Sequence, residues 1–195
     1  MNVYHESVFP TIISNLTLPA FSGVKEPLIS WIYEYMEGKE GRKISNVGGW
    51  QSEDDFWQEG SFREYLDYMM LGIDEFSRDF GSYRYSISNM WINVNGKDDH
   101  NSKHCHPRSI MSGCFYIKVP ENGGGIKFVS PDLFVNAHMY ETINSKLGEK
   151  FNFTGVWTIF EPIEGSMLFF PSHLEHLVCK NNSSEDRISI AFNLV

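Results

Sequence analysis

The stretch from Tyr83 to the C-terminus most constrains the fold, because it is almost wholly strand-like. β-forming residues occur there in short runs, and turn formers separate the runs at 95–96 and 121–125. The clearest helical pattern precedes it, at 61–80, where apolar residues recur every three or four positions. Helices followed by many short strands predict a mainly β, α+β fold, with N-terminal helices packed on one sheet of a sandwich or jelly roll.

The remaining elements are predicted from local patterns. Before the helical pattern at 61–80 we expect a strand at 8–13, a helix from Pro27 to Tyr35 or Met36 that ends at Gly38, and a polar loop at 42–52. In the strand-like part after Tyr83 we expect a strand at 110–119, a strand pair at 156–161 and 166–170, and a long insertion at 132–153. The 195 residues are therefore predicted to form one domain, 1–195, with a helical part at about 24–80 and a β core at about 83–195.

Charge and composition narrow the class of protein. The net charge is −9 without a basic stripe, which argues against nucleic acid as a direct partner. No apolar run approaches membrane-spanning length, and the N-terminus does not resemble a signal peptide, so we expect no membrane partner. Three scattered cysteines argue against a disulfide framework and for a reducing compartment, the cytoplasm. Oligomeric state is left open.

Three histidines form the candidate metal site. His104 and His106 are two residues apart, so in extended chain both side chains leave the same face of the strand. His176 lies near the C-terminus and is the third candidate. Imidazole suits iron, zinc, copper and nickel on affinity alone. The alternatives are His173 in place of His176, His100 in place of His104, a carboxylate from Asp98 or Asp99, and Cys105 between the histidine pair.

Arg187 is the candidate anion-binding residue beside that site. Residues 177–180 and 187–190 flank a run of turn formers, which predicts an antiparallel hairpin with Lys180 opposite Arg187 and His176 opposite Ala191. Opposed residues share a face of the sheet, so His176 and Arg187 would point the same way. Alternation in the strand at 110–119 places Tyr116 on its polar face, which makes it the candidate to share the pocket.

The order of these motifs resembles that of the iron(II)/2-oxoglutarate-dependent oxygenases, and most closely their prolyl-hydroxylase-like branch. The residues that carry the resemblance, over roughly 42–195, are His104-x-His106, SGCFYI at 112–117, GGIKF at 124–128, LFFP at 168–171, His176-x-Val178 and RISIAFN at 187–193. Residues 45–51, SNVGGWQ, and the His-x-His-Pro form are similar to a small oxygenase family of bacteria and their viruses.

The resemblance implies a double-stranded β-helix, a cupin-like jelly roll, and a set of roles. His104, His106 and His176 would hold iron(II) as the catalytic centre, and Arg187 with Tyr116 would hold the far carboxylate of 2-oxoglutarate. The implied enzyme is a dioxygenase that uses O2 to hydroxylate an unidentified substrate while 2-oxoglutarate is decarboxylated to succinate. The departure is His106, where most relatives place Asp or Glu. A three-histidine site also suits a zinc-type hydrolase, and a non-catalytic cupin-like metal- or ligand-binding module is the other alternative.

Overall fold

The computed structural model describes residues 4, 10–81, 83–132 and 156–195. Within these ranges two α-helices, α1 (Phe21–Met36) and α2 (Arg63–Asp79), accompany eleven strands. The strands are β1 (Ser14–Thr17), β2 (Asn46–Val47), β3 (Trp50–Gln51), β4 (Ile87–Asn95), β5 (His100–His104), β6 (Met111–Lys118), β7 (Ile126–Val129), β8 (Trp157–Phe160), β9 (Ser166–Pro171), β10 (His176–Val178) and β11 (Arg187–Leu194). Two short 3-10 helices, Phe56–Gln58 and Gly60–Phe62, precede α2.

The strands of the described ranges form two antiparallel sheets. The major sheet has the order β1-β9-β6-β11-β4-β3, and the minor sheet has the order β2-β5-β10-β7-β8. Strands that follow one another in the chain therefore often lie in opposite sheets, as β8 and β9 do. The predicted mainly β fold with two facing sheets is confirmed.

Both helices pack on the major sheet. Leu28 and Ile32 of α1 and Met69, Ile73 and Phe76 of α2 are buried in one apolar cluster with strands of that sheet. The fit is close, since the rings of Phe76 and Phe169 stack with centroids 4.2 Å apart. The expectation of N-terminal helices packed on one sheet is confirmed.

A second, smaller core lies between the two sheets. It contains Tyr116, Ile126, Phe128, Leu168 and Phe170. Strand β9 serves both cores, because Phe169 faces the helices while its neighbours Leu168 and Phe170 face the minor sheet. A strand buried on both faces reads as a continuous apolar run, which is how residues 167–170 appear in the sequence.

The predicted C-terminal hairpin is wrong. β10 lies between β5 and β7 in the minor sheet, whereas β11 lies between β6 and β4 in the major sheet. The Asn-rich run that we expected to be a tight turn instead crosses between the sheets. Asn181 anchors the crossing, because its buried side chain donates to the carbonyl oxygens of Asn95 (2.9 Å) and Glu185 (2.8 Å).

The predicted strand pair at 156–161 and 166–170 is also wrong in its pairing. Both strands exist, as β8 and β9, but β8 pairs with β7 and β9 pairs with β1 and β6. The connection holds Pro162 and Gly165, the latter at φ 76°, and it carries the chain from one sheet to the other. Both strands therefore find their partners elsewhere in the sandwich.

Smaller differences concern the N-terminal half. The first strand is Ser14–Thr17 rather than 8–13, of which 8 and 9 lie outside the described residues. Helix α1 begins at Phe21, so Pro27 lies inside it, although its end before Gly38 is as expected. The polar loop at 42–52 contributes strands β2 and β3. The predicted insertion at 132–153 lies outside the described residues apart from Asp132. No helix in the described ranges is long and apolar enough to cross a membrane.

Candidate metal centre

Three imidazoles from the minor-sheet side converge at one point between the sheets. His104 ends β5 and His176 begins β10, and the two are direct partners in the antiparallel register. His106 lies in the loop after β5, where its backbone N–H donates to the carbonyl oxygen of Ser172 (2.8 Å). The nearest ligand atoms of the three side chains all lie within 4.8 Å of one another.

Hydrogen bonds orient two of the rings. Nδ1–H of His104 donates to the carbonyl oxygen of Ser102 (2.7 Å), and Nδ1–H of His176 donates to that of Leu174 (2.9 Å). Because a carbonyl oxygen only accepts, both rings carry their proton on Nδ1 and keep the lone pair on Nε2. Such a bond behind the ring is typical of histidines that ligate metals. His106 is instead held against the ring of Trp91, with centroids 5.4 Å apart.

The environment keeps all three rings neutral. Burial, and then the neighbouring His176 and His104, lower the pKa of His106 to about 3. Burial, reinforced by His104, lowers the pKa of His176 to about 4, and burial also lowers the pKa of His104. Neutral imidazole is the form that binds a metal ion, so the site does not need to lose protons near neutral pH.

Arg187 lies in the same cavity but comes from the opposite sheet. It is only 2% exposed, and its Nη1 donates to the carbonyl oxygens of Gly123, Gly124 (3.1 Å) and Cys179 (3.1 Å). Its Nη2 is buried without a hydrogen-bond partner. No carboxylate of the described residues forms an ion pair with it, so one edge of a buried guanidinium is left unpaired.

Tyr116 and Cys114 of β6 complete the polar wall beside Arg187. Burial raises the pKa of Tyr116 well above its ordinary value, and burial raises the pKa of Cys114 to about 11. Both groups therefore stay protonated, and the phenol is available as a hydrogen-bond donor. We call the space between the three imidazoles, Tyr116 and Arg187 the inner cavity; it has a volume of about 50 Å³.

The structure brings together all five predicted site residues, although the strands that carry His176 and Arg187 do not pair as predicted. His176 and Arg187 face each other across the sandwich instead of sharing a sheet face. The alternatives lie outside the cluster: His173 and Cys105 are exposed, and Nδ1 of His100 lies 3.4 Å from the carbonyl oxygen of Asp98. Asp99 accepts from the N–H of Gly96 (2.7 Å).

Sequence reasoning missed three features of the site. Trp91 packs against the ring of His106. Asn93 lines the inner cavity and its Oδ1 is buried without a partner. The carbonyl groups of the Gly-rich turn hold Arg187. Only the polar Asn93 within the apolar run of β4 gave a visible signal in the sequence.

The donor set fits a transition-metal ion and a dicarboxylate. Three neutral imidazoles suit iron, zinc, copper or nickel, and one ring nitrogen from each lies within 4.8 Å of the other two. An unpaired buried guanidinium edge matches a carboxylate in charge and in geometry. The tyrosine hydroxyl beside it supplies a further donor.

The fold of this chain is similar to that of several solved structures. A prolyl-4-hydroxylase of Pseudomonas putida aligns with a TM-score of 0.63 at 14% identity, over 94% of this chain and 92% of that one. A viral collagen prolyl hydroxylase of Paramecium bursaria Chlorella virus-1, in complex with 2-oxoglutarate, aligns at 0.58 and 16%, over 93% and 94%. HygX of Streptomyces hygroscopicus, with nickel and 2-oxoglutarate bound, aligns at 0.62 and 14%, over 94% and 82%.

At these identities the alignments show the fold alone, which is the double-stranded β-helix of 2-oxoglutarate oxygenases. No curated protein matches the chain in sequence. A family model does match, over residues 89–193, and it is described as "Putative 2OG-Fe(II) oxygenase". This match covers more than half of the chain, and the protein therefore belongs to that family of iron(II)- and 2-oxoglutarate-dependent oxygenases.

Proposed function

We propose that the protein is a dioxygenase in which His104, His106 and His176 hold iron(II), while Arg187 and Tyr116 hold the far carboxylate of 2-oxoglutarate. The observation that carries the assignment is the buried, unpaired Nη2 of Arg187 in the same cavity as three neutral imidazoles. A buried unpaired charge is costly, so its presence supports a bound anion as its partner.

In this proposal the residues of the inner cavity have separate roles in binding the metal, binding 2-oxoglutarate and excluding water. Iron(II) with 2-oxoglutarate and O2 supplies the oxidising chemistry, which yields succinate, carbon dioxide and a hydroxylated substrate. His104 and His176 present Nε2 because their Nδ1 protons are engaged with carbonyl oxygens. Arg187, fixed through Nη1 by three carbonyl groups, offers its other edge in a set orientation. Phe170 packs against His176 with ring centroids 4.8 Å apart and helps to exclude water.

His106 is the distinctive ligand of this proposal. A carboxylate at that position would neutralise part of the metal charge, whereas imidazole leaves that charge for the anionic 2-oxoglutarate to balance. We therefore expect 2-oxoglutarate to bind more tightly to the metal-loaded protein than to the metal-free protein. The three free cysteines, Cys105, Cys114 and Cys179, support our further proposal that the protein works in the reducing cytoplasm.

The decisive experiment measures 2-oxoglutarate binding and turnover. Calorimetry with the anaerobic Mn(II)-loaded protein should show saturable binding, and the Fe(II)-loaded protein in air should form succinate. Arg187→Ala should keep the metal but lose about 2–5 kcal/mol of 2-oxoglutarate binding, because it removes the partner of a buried carboxylate. Arg187→Lys should recover only part of this, since a point charge does not reproduce the guanidinium fork.

Arg63→Ala is the matched control, because Arg63 is exposed and pairs with Asp67 on the surface of α2. It should bind 2-oxoglutarate as the wild type does. Equal losses in both variants, or no saturable binding by the wild type at millimolar ligand, would contradict the proposal.

A second candidate is a zinc-type hydrolase, which the all-imidazole ligand set favours. Arg187 would then bind an anionic group of the hydrolysed substrate. The Zn(II)-loaded protein would show hydrolysis without succinate formation, and 2-oxoglutarate would not bind. A vestigial, non-catalytic module would show neither activity.

A further inference from the structure

A second cavity adjoins the imidazole cluster and shares His104, His106 and Trp91 with the inner cavity. It has a volume of about 300 Å³, and the polar side chains that line it include Arg42, Gln51, Asp54, Asn89 and Asn193. We call it the outer cavity. Its size suits one side chain or one small ring, and its position places a bound molecule beside the metal centre.

The segment 42–54 forms one wall of the outer cavity and is firmly held. It adds β2 to the minor sheet and β3 to the major sheet, so that it connects the two sheets. The N–H of Arg42 donates to the carbonyl oxygen of Gln51 (2.7 Å), and the indole N–H of Trp50 donates to that of Lys39 (3.0 Å). The wall is therefore preformed.

Charges around the outer cavity are paired, in contrast to the inner cavity. Arg42 lies 2.8 Å from a carboxylate oxygen of Asp54 and 3.7 Å from one of Glu53. Lys103, the other cation of this lining, lies 2.9 Å from Glu175. The inner cavity leaves the guanidinium of Arg187 unpaired and so selects an anion, whereas the outer cavity offers no unpaired cation among its described lining residues.

The carboxamides of the outer cavity are also engaged, with one exception. Asn193 Nδ2 donates to Asn89 Oδ1 (2.9 Å), and Asn193 Oδ1 accepts from Ser112 (2.6 Å). Gln51 is 5% exposed, and its Oε1 is buried without a partner. A buried carboxamide with an open hydrogen-bonding position costs stability unless a ligand completes it.

We propose that the outer cavity binds an uncharged polar group of the substrate, a hydroxyl or a carboxamide, and that Gln51 is the residue that recognises it. This inference rests on the proposed function, since it uses the imidazole cluster as the metal centre. A hydroxyl and a carboxamide N–H both donate hydrogen bonds, as the unpartnered Oε1 of Gln51 requires. A carboxylate or phosphate group has no proton to donate to this oxygen and would meet cations that are already paired, so it would lose its hydration without a partner.

The test uses the Mn(II)- and 2-oxoglutarate-loaded full chain and observes the relaxation of small probes by NMR. The hydroxyl probe is methyl glucoside and its charged counterpart is gluconate. The carboxamide probe is N-acetylproline amide and its charged counterpart is N-acetylproline. At least one neutral probe should show Mn(II)-dependent relaxation at roughly tenfold lower concentration than its charged counterpart, and the responding pair identifies the group.

Gln51→Leu should remove that relaxation while Mn(II) and 2-oxoglutarate still bind. Its metal-free melting temperature should stay equal or rise, because an apolar isostere removes an unpaired buried amide. Gln58→Leu is the matched control, since Gln58 is exposed, and it should keep the relaxation.

Three results would overturn the inference: charged probes that relax as strongly as neutral ones, a Gln51→Leu variant that retains the response, or no response from either neutral probe. If the wild type instead binds neither Mn(II) nor 2-oxoglutarate, the failure belongs to the proposed function. The two ideas are therefore separated by the first titration.

Discussion

Single side chains carry most of the proposed chemistry, and the structure distinguishes ligands from bystanders. His176 is 2% exposed and its Nδ1–H is bonded to a carbonyl oxygen, whereas His173 is exposed on the preceding turn. Only a buried ring with a fixed tautomer presents Nε2 without reorganisation. The two residues are three positions apart in sequence, and burial is what separates them.

His104→Ala or His176→Ala should abolish binding of Mn(II) or Fe(II), because each removes one of three ligands and leaves too few to hold the ion. His173→Ala should bind metal normally, and His106→Asp should retain it because an anionic oxygen replaces a neutral nitrogen. Equilibrium dialysis with metal analysis gives the stoichiometry for each variant. Loss of metal in His173→Ala with retention in His176→Ala would refute the assignment.

Acid should destabilise the metal-free protein through the same three rings. Their pKa values are lowered in the folded state, to about 3 for His106 and about 4 for His176, from the ordinary value of 6.5. Between these values the unfolded chain binds more protons, so the histidine contribution is complete above pH 6.5 and is lost as the pH falls toward the folded pKa values.

Urea unfolding of the wild type at a series of pH values below neutrality should therefore show that the free energy of unfolding falls with pH. The fall should be smaller in the triple variant that combines His104→Asn, His106→Asn and His176→Asn. The variant carries no group at these positions that titrates in this range. An identical pH dependence in the variant and the wild type would show that the rings titrate alike in both states.

At the scale of elements, the bridge formed by β2 and β3 depends on Gly48. Gly48 has φ +70°, and a Cβ there would lie 1.9 Å from Oδ1 and 2.8 Å from Cγ of Asp99. The Asp99 carboxylate is itself bonded to the N–H of Gly96, so it has little freedom to move. Positive φ and close packing together explain a glycine at this position.

Gly48→Ala should lower the free energy of unfolding by about 1–3 kcal/mol because the added Cβ is strained in both conformation and contact. Gly23→Ala is the matched control, since Gly23 lies in α1 with nothing within 4 Å of a Cβ. It should stabilise the protein by up to about 1 kcal/mol through helix propensity. Urea denaturation of both variants makes the comparison, and equal effects of the same sign would show that the bridge tolerates a side chain.

At the scale of the whole molecule, the helices and the major sheet share one core. Met69 and Ile73 of α2 are fully buried in the same cluster as Ile190 and Phe192 of β11. The minor sheet is tied to that unit by crossings such as the one that Asn181 anchors. These contacts support our proposal that residues 1–195 form a single domain. A single domain has a direct consequence for unfolding.

Denaturation should be a single cooperative transition, with far-ultraviolet circular dichroism and tryptophan fluorescence giving the same midpoint. Ile73→Ala should lower that midpoint for both signals together and cost about 2–5 kcal/mol, with an unchanged dependence on denaturant. Leu71→Ala, at an exposed position of the same helix, should have little effect. Separate midpoints for the two signals would contradict a single domain.

The sequence by itself determined features that depend on neighbouring residues. The period of 61–80 fixed helix α2, and alternation along β6 separated Tyr116 and Cys114 from the core-facing Phe115. The two rings of the His-x-His motif also lie together, with centroids 5.0 Å apart, although His106 follows the end of β5 and is held there by Ser172. These properties are local because side-chain direction is set by the backbone geometry of one element.

Tertiary structure alone decided which strands meet. β10 and β11 read as a hairpin, yet each found two better partners in opposite sheets, so that His176 and Arg187 face each other across the sandwich. The unpaired edge of Arg187 and the open position of Gln51 likewise depend on contacts with distant segments. Strand pairing and burial are non-local, because the free energy of each contact depends on every other strand being in place.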